Sequence, residues 1–89
     1  MITSAACRGT INGTQMVIPV HRHCDFFEIM KLLHCKYNKE EVEQGFINWD
    51  PTTKTETFVD RIEAFKLAQF YGQIPQNLPV QPLYSEDLY

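Results

Sequence analysis

Two runs rich in apolar residues open the chain, residues 2–8 and 14–20, and they flank a short loop-like stretch. That stretch contains Asn12-Gly13, the strongest short hairpin signal, because both residues tolerate a positive φ. The pattern predicts an N-terminal β-hairpin. Pro19 has no N–H to donate, so we expect it at the end of the second strand or on a sheet edge.

A helical pattern follows the hairpin, because apolar residues now recur every three or four positions. They share one face of the predicted helix: Phe26, Ile29, Met30, Leu33 and Tyr37. Asp25 stands three residues before Glu28, directly ahead of this run, which resembles a capping box. The pattern predicts a helix over residues 26–36 that packs its apolar stripe on the hairpin.

Residues 45–59 contain two short extended runs around the turn signal Asp50-Pro51, which predicts a second, smaller hairpin. Asp60 and Glu63 then repeat the capping arrangement ahead of a second apolar-periodic run. Gly72 is a natural left-handed stop for the second helix.

The last segment, residues 73–89, carries Pro75, Pro79 and Pro82 with apolar residues spaced between them. This spacing is typical of an extended segment that lies over the body of the protein. The sequence therefore predicts a single α+β domain over residues 1–89. In chain order, the predicted elements are a β-hairpin, a helix, a short second hairpin, a helix and an extended proline-rich tail.

Length and charge narrow the function classes. A chain of 89 residues fits one domain, and such a domain buries a modest share of its surface, a shortage that oligomerisation would relieve. The net charge of −3 argues against general binding to a long nucleic acid, which needs a basic face. One small anion held by a few arginines is still compatible with this charge.

The cysteine pattern indicates a reducing compartment, because Cys7, Cys24 and Cys35 are odd in number and have no paired spacing. No signal peptide and no apolar run long enough for a membrane span is visible. We therefore expect a cytoplasmic protein without a membrane partner. The histidine and cysteine spacings do not fit structural zinc, so no metal and no cofactor are expected.

Arginines are the candidate anion ligands, and the chain has only Arg8, Arg22 and Arg61. Arg22 directly precedes the first predicted helix, where backbone amides and a guanidinium both favour phosphate. An ion pair of Arg22 with Asp25 or Glu28, in a segment that is only a connection, is an equally good interpretation. Arg61 opens the second helix, against the helix dipole, and the alternative there is a solvated side chain beside Asp60.

Aromatic residues of the second hairpin, Phe46 and Trp49 among them, either stack on a base or form core. Near the C-terminus, Glu86 and Asp87 lie between tyrosines, where they either accept from ribose hydroxyls over a pocket or form an acidic terminus. No nucleophile elbow, glycine-rich phosphate loop or paired-carboxylate site appears, so we expect a binding protein and no enzyme.

Several separated segments together resemble a known family of small phage proteins, the one that includes the Thoeris anti-defence sponge of the first type. They are Ile2-Thr3-Ser4-Ala5-Ala6, Arg22-His23 with Asp25, Gln44-Gly45-Phe46, Asp60-Arg61 with Glu63-Ala64, Gly72-Gln73-Ile74, and Leu83-Tyr84-Ser85-Glu86-Asp87-Leu88-Tyr89. The resemblance spans nearly the whole chain, and its most specific parts are the Arg-His pair and the C-terminal motif.

The resemblance implies a phage protein that sequesters a cyclic ADP-ribose isomer, made by a bacterial TIR immune enzyme, without cleaving it. It implies a homo-oligomer in the host cytoplasm with the cyclic nucleotide held between subunits. Carried over by motif, the ligand-binding residues are Arg22, His23, Phe46, Arg61 and Asp87. One alternative is a phage inhibitor that docks on a host enzyme, and a second is a small nucleotide phosphodiesterase.

Overall fold

A computed structural model describes residues 1–88 and has an α+β fold, the class that the sequence predicts. One four-stranded antiparallel sheet carries two α-helices. In chain order the elements are β1 (Ile2–Ile11), β2 (Thr14–Val20), α1 (His23–Leu32), β3 (Glu43–Asp50), β4 (Thr55–Asp60) and α2 (Arg61–Phe70). Short 3-10 turns cover Lys39–Glu41 and Ser85–Asp87.

The first hairpin is confirmed, and its connection is tighter than the sequence suggests. Strand β1 continues to Ile11, so the turn consists of Asn12 and Gly13 alone, with φ of 51° and 83°. Positive φ at both positions matches the right-handed twist of the flanking strands. Pro19 lies next to the last residue of β2, which is an edge strand of the sheet.

The sheet order is β2-β1-β3-β4, so both hairpins join through their first strands and β2 and β4 form the edges. Ala5 pairs with Val20 on one side and with Phe46 on the other, so these three side chains share a face. All three belong to the hydrophobic core, together with Phe26 of α1 and Phe65 of α2. We call this the covered face, and the opposite one the open face.

The prediction for α1 was wrong in its position. The helix covers His23–Leu32, not residues 26–36. Arg22 is the N-cap, and Asp25 lies at the third helical position, where its carboxylate accepts from the Arg22 N–H at 3.1 Å. Leu33 is 66 % exposed, and the chain leaves the helix through a left-handed residue at His34 (φ 53°). The His23 side chain is buried against Phe46 and the Gly45 carbonyl, and this tertiary packing favours the earlier start of the helix.

The prediction for α2 is confirmed. Asp60 is the N-cap, and its Oδ1 accepts from the Glu63 N–H at 2.8 Å. Gly72 adopts a φ of 72°, directly after the helix ends. The second hairpin is also confirmed, with a turn in which the Asp50 carboxylate accepts from the Thr52 N–H at 2.9 Å.

The core lies between the covered face and the two helices. Its members are Ile2, Ala5, Cys7, Ile11, Val20, Phe26, Met30, Phe46, Ala64, Phe65, Ala68, Ile74 and Leu83. Burial raises the pKa of the Cys7 thiol to about 11, because a thiolate there would lose its hydration. Cys7 is accordingly an unreactive core residue, whereas Cys24 is exposed.

The segment after α2 returns along the helix toward its start. Gln73 anchors the beginning of this segment, because its side chain both accepts from and donates to the Ile2 backbone, each at 2.8 Å. Ile74 and Leu83 bury their side chains in the core. The Leu83 N–H donates to the Arg61 carbonyl at 2.9 Å, which places the C-terminal residues beside the first turn of α2.

Candidate ligand-binding site

An open cavity of about 300 Å³ lies at the first turn of α2. Its lining combines one cation, two carboxylates, one amide and two apolar side chains. The residues are Glu43, Gln44, Asp60, Arg61, Ile62 and Pro82. Such a mixture suits a compact polar ligand better than an apolar one.

Strand pairing builds one wall of this cavity. Gly45 of β3 pairs with Asp60, the last residue of β4, so Gln44 and Glu43 continue past the point where β4 turns into α2. The Glu43 carboxylate is held by the Arg8 guanidinium at 2.8 Å. The Asp60 carboxylate caps the helix, and the positive end of the helix dipole therefore adjoins the cavity.

The C-terminal segment contributes Pro82 to the lining and places Tyr84 beside Arg61. The Arg61 guanidinium carbon lies 5.5 Å from the centroid of the Tyr84 ring, a cation–π arrangement. The Tyr84 N–H donates to the Asp87 carboxylate at 2.9 Å. Arg61 and Asp87, predicted from distant parts of the sequence, therefore belong to one local network through Tyr84.

His23 and Phe46 are also brought together, but inside the protein. The two rings meet edge to face with centroids 5.1 Å apart, and Phe46 is fully enclosed. The His23 Nε2 atom lies 2.7 Å from the Gly45 carbonyl oxygen, which can only accept, so Nε2 carries the proton and donates. In this chain neither ring presents a face to a ligand, and their role in binding stays a prediction.

Arg22 lies at the other helix start, where α1 follows the edge strand β2. It is not among the residues that line the α2 cavity. The structure therefore groups Arg61 with Asp87 and His23 with Phe46, and it leaves Arg22 at the N-cap of α1.

Gln44, Ile62 and Pro82 line the cavity without having been predicted as site residues. Gln44 and Pro82 are 38 positions apart, and they meet only because β3 pairs with β4 and the tail returns to α2. A local sequence pattern cannot predict that residues so far apart line one cavity. That prediction would require the strand register and the path of the tail.

Among residues 1–88, no three side chains of the types His, Cys, Asp and Glu gather closely enough to hold a metal ion. In the same part of the chain, neither helix has the length and apolar character that a membrane crossing requires.

The whole chain, residues 1–89, matches a family model described as the phage T4 y16D protein. Neither the curated proteins nor the solved structures yielded a match to this chain. The comparison therefore indicates a phage protein family.

Proposed function

The chain belongs to the family of the phage T4 y16D protein, and on that premise we propose that it is an anti-defence protein that sequesters a cyclic nucleotide. The ligand we propose is a cyclic ADP-ribose isomer or a related cyclic nucleotide, bound without cleavage in the host cytoplasm. The observation that carries the proposal is the α2 cavity, in which Arg61 lies against Tyr84.

Arg61 supplies the phosphate contact in this proposal. A guanidinium presents paired N–H donors that match phosphate oxygens, and its charge is permanent. The first turn of α2 adds the positive end of the helix dipole on the same side of the cavity. Gln44 adds an amide that can donate to a phosphate oxygen or accept from a base.

Acceptors in the lining suit the sugar and the base. Cyclic ADP-ribose isomers carry ribose hydroxyls and an amino group, both of which donate to carboxylates. Glu43 and Asp60 line the cavity, and the Asp87 carboxylate is held beside Tyr84. The Tyr84 ring, which is exposed, offers the flat surface for a base in place of the enclosed Phe46.

In the proposed oligomer, Arg22 reaches the ligand from a neighbouring subunit. Within one chain the cavity has a single arginine, whereas a cyclic nucleotide with two phosphates needs more positive charge. Arg22 lies at the N-cap of α1, a position from which a second chain could supply it. Slow release follows from such enclosure, and slow release is what sequestration requires.

Calorimetric titration of the purified protein with cyclic ADP-ribose isomers tests the proposal. We expect tight binding of at least one isomer, and recovery of the intact isomer by mass spectrometry after the protein is heat-denatured. Retention of no isomer and no cyclic dinucleotide would refute the proposal. Metal-dependent turnover of the nucleotide would instead favour the phosphodiesterase alternative.

A charge-matched pair of variants locates the site. Loss of a charged hydrogen bond costs about 1.5–3 kcal/mol, so Arg61→Gln should weaken binding roughly 10- to 100-fold. Lys66→Gln removes one positive charge from an exposed position of the same helix and should leave the affinity within about twofold, the scale of a surface change. Equal losses in the two variants would mean that net charge, and not the cavity, binds the nucleotide.

A further inference from the structure

The open face of the sheet carries an apolar patch that neither helix covers. Ala6 pairs with Pro19 on one side and Gly45 on the other, and Ile47 pairs with Phe58, so these residues share that face. Ala6 and Ile47 are buried, yet they are not members of the core under the helices. An antiparallel sheet with one face in water normally carries polar residues there.

A shallow groove of about 260 Å³ crosses this patch from one edge of the sheet to the other. Its lining is Val17, Pro19, Ile47, Glu56, Thr57 and Phe58. The Phe58 ring lies over Gly45, where any Cβ atom would approach the ring to 2.5 Å. Val17, on the opposite edge strand, is 41 % exposed. The face therefore has an aromatic wall on β4 and an aliphatic wall on β2.

A pair of opposite charges lies on the two middle strands, near one end of the sheet. Arg8 of β1 and Glu43 of β3 are direct cross-strand partners, joined at 2.8 Å. The Arg8 guanidinium carbon also lies 4.5 Å from the Phe58 ring centroid. Within residues 1–88, the Arg8 Nε atom is buried without a hydrogen-bond partner, so this guanidinium has more donors than its own chain satisfies.

We propose that this open face binds a second copy of the chain, with the two sheets stacked around a two-fold axis. The axis runs parallel to the strands and between β1 and β3, the middle of the sheet. That rotation places each Arg8 over the Glu43 of the partner. It also places the β2 edge of each sheet, which carries Val17 and Pro19, over the β4 edge of the partner, which carries Phe58.

Self-complementarity favours a second copy as the occupant. A two-fold interface needs a surface in which each element meets its complement after rotation. Here the cation and the anion exchange places, and the aliphatic edge strand β2 comes to lie over the partner's edge strand β4. Aligned packing of two antiparallel sheets is a common way to bury such faces. Dimerisation would also add buried area to a small domain.

Sedimentation velocity of the wild-type protein is the first test, at roughly 10–200 µM to bracket a weak homodimer. We expect a concentration-dependent dimer. A monomer over the whole range would overturn the proposal, even if that monomer binds a host protein. No nucleotide is present in this experiment, so its outcome is separate from that of the proposed function.

Charge exchange tests the two-fold arrangement. Arg8→Glu places four carboxylates around the two-fold axis of a homodimer, and Glu43→Arg places four cations there, so each variant alone should be monomeric. A mixture of the two pairs every Glu with an Arg across the interface, so we expect dimers with one copy of each. A mixture that stays monomeric, from variants whose circular dichroism is native, would contradict the arrangement.

A milder pair of variants keeps the proposal testable if the charge variants unfold. Val17→Lys places a cation on the open face, and Met16→Lys places one at the adjacent, equally exposed position (40 %) on the covered side of β2. We expect Val17→Lys to weaken the dimer about tenfold or more, and Met16→Lys to leave it nearly unchanged. Equal weakening in both variants would overturn the assignment of the open face.

Discussion

The two helix starts of this protein share a sequence pattern but differ in what surrounds them. Both helices follow an edge strand, and both carry an acidic residue three positions after the N-cap, Asp25 in α1 and Glu63 in α2. At α1 the first residue, His23, is buried against Phe46. At α2 the first residue, Arg61, lines an open cavity.

The difference shows that a capping pattern does not by itself predict a binding site. The α1 start lies over the centre of the sheet, where the His23 ring reaches the Gly45 carbonyl and closes the space. The α2 start lies where the tail returns, so Pro82 lines the cavity beside Arg61 and Tyr84 lies against the Arg61 guanidinium without filling the space. We therefore expect truncation of His23 or Phe46 at the α1 start to cost stability, and replacement of Arg61 at the α2 start to cost ligand binding.

The largest expected effect is that of Phe46→Ala, which removes the ring packed against His23 at the start of α1. Phe46 is completely enclosed, so truncation should lower the free energy of unfolding by about 3–5 kcal/mol, measured by urea denaturation. Phe70→Ala is the control, because Phe70 is 78 % exposed, and it should change stability by less than about 0.5 kcal/mol. Similar losses in the two variants would contradict the enclosure of Phe46.

His23→Ala should have the next largest effect. The variant removes the buried hydrogen bond to Gly45 and the edge-to-face contact with Phe46, which together should cost about 2 kcal/mol of unfolding free energy. Cys24→Ala, at the exposed neighbouring position, should be nearly neutral. A neutral His23→Ala would show that the α1 start is more open than the structure describes.

Asp60→Ala separates the two capping arrangements. It removes the side chain that accepts from the Glu63 N–H and should cost about 1 kcal/mol in thermal or urea unfolding. Asp25→Ala should cost less, about 0.3–1 kcal/mol, because Asp25 accepts from the N-cap and lies inside the first turn. The sequence pattern, with Asp25 as the N-cap, would predict equal losses, so an Asp25→Ala loss as large as that of Asp60→Ala would contradict the helix start at His23.

The smallest stability effect is expected for Arg61→Gln. The substitution loses the contact with the Tyr84 ring, which lowers stability, and removes a cation from the positive end of the helix dipole, which raises it. These two opposing effects are each about 0.5–1 kcal/mol. Urea denaturation should therefore agree with the wild type within about 0.5 kcal/mol. A large loss of stability would mean that Arg61 is a structural residue, and the binding test would then need Arg61→Lys.

The sequence identified most elements because their signals are local. Asn12-Gly13 determined the first turn, since both residues accept a positive φ, and Asp60 with Gly72 determined both ends of α2. The same reasoning misplaced α1, because Asp25 fits both the N-cap and the third helical position. Burial of His23, a tertiary effect, decided between the two.

The candidate site residues show the same difference between local signals, which the sequence carries, and tertiary contacts, which it does not. Sequence reasoning named Arg61 and Asp87 separately, and the return of the tail joined them through Tyr84. It also named Phe46 as core or as a stacking surface, and packing under α1 enclosed its ring. Arg22 stayed at a separate helix start from Arg61.

By itself the sequence determined the hairpin turns, the cap of α2 and the alternation that gives every strand two faces, because these depend on residues only a few positions apart. Tertiary structure alone decided which face the helices cover, that Gln44 meets Arg61, and that Arg8 lies opposite Glu43. Those contacts join residues that are distant in sequence, and strand register, which sums many weak pairings, sets them.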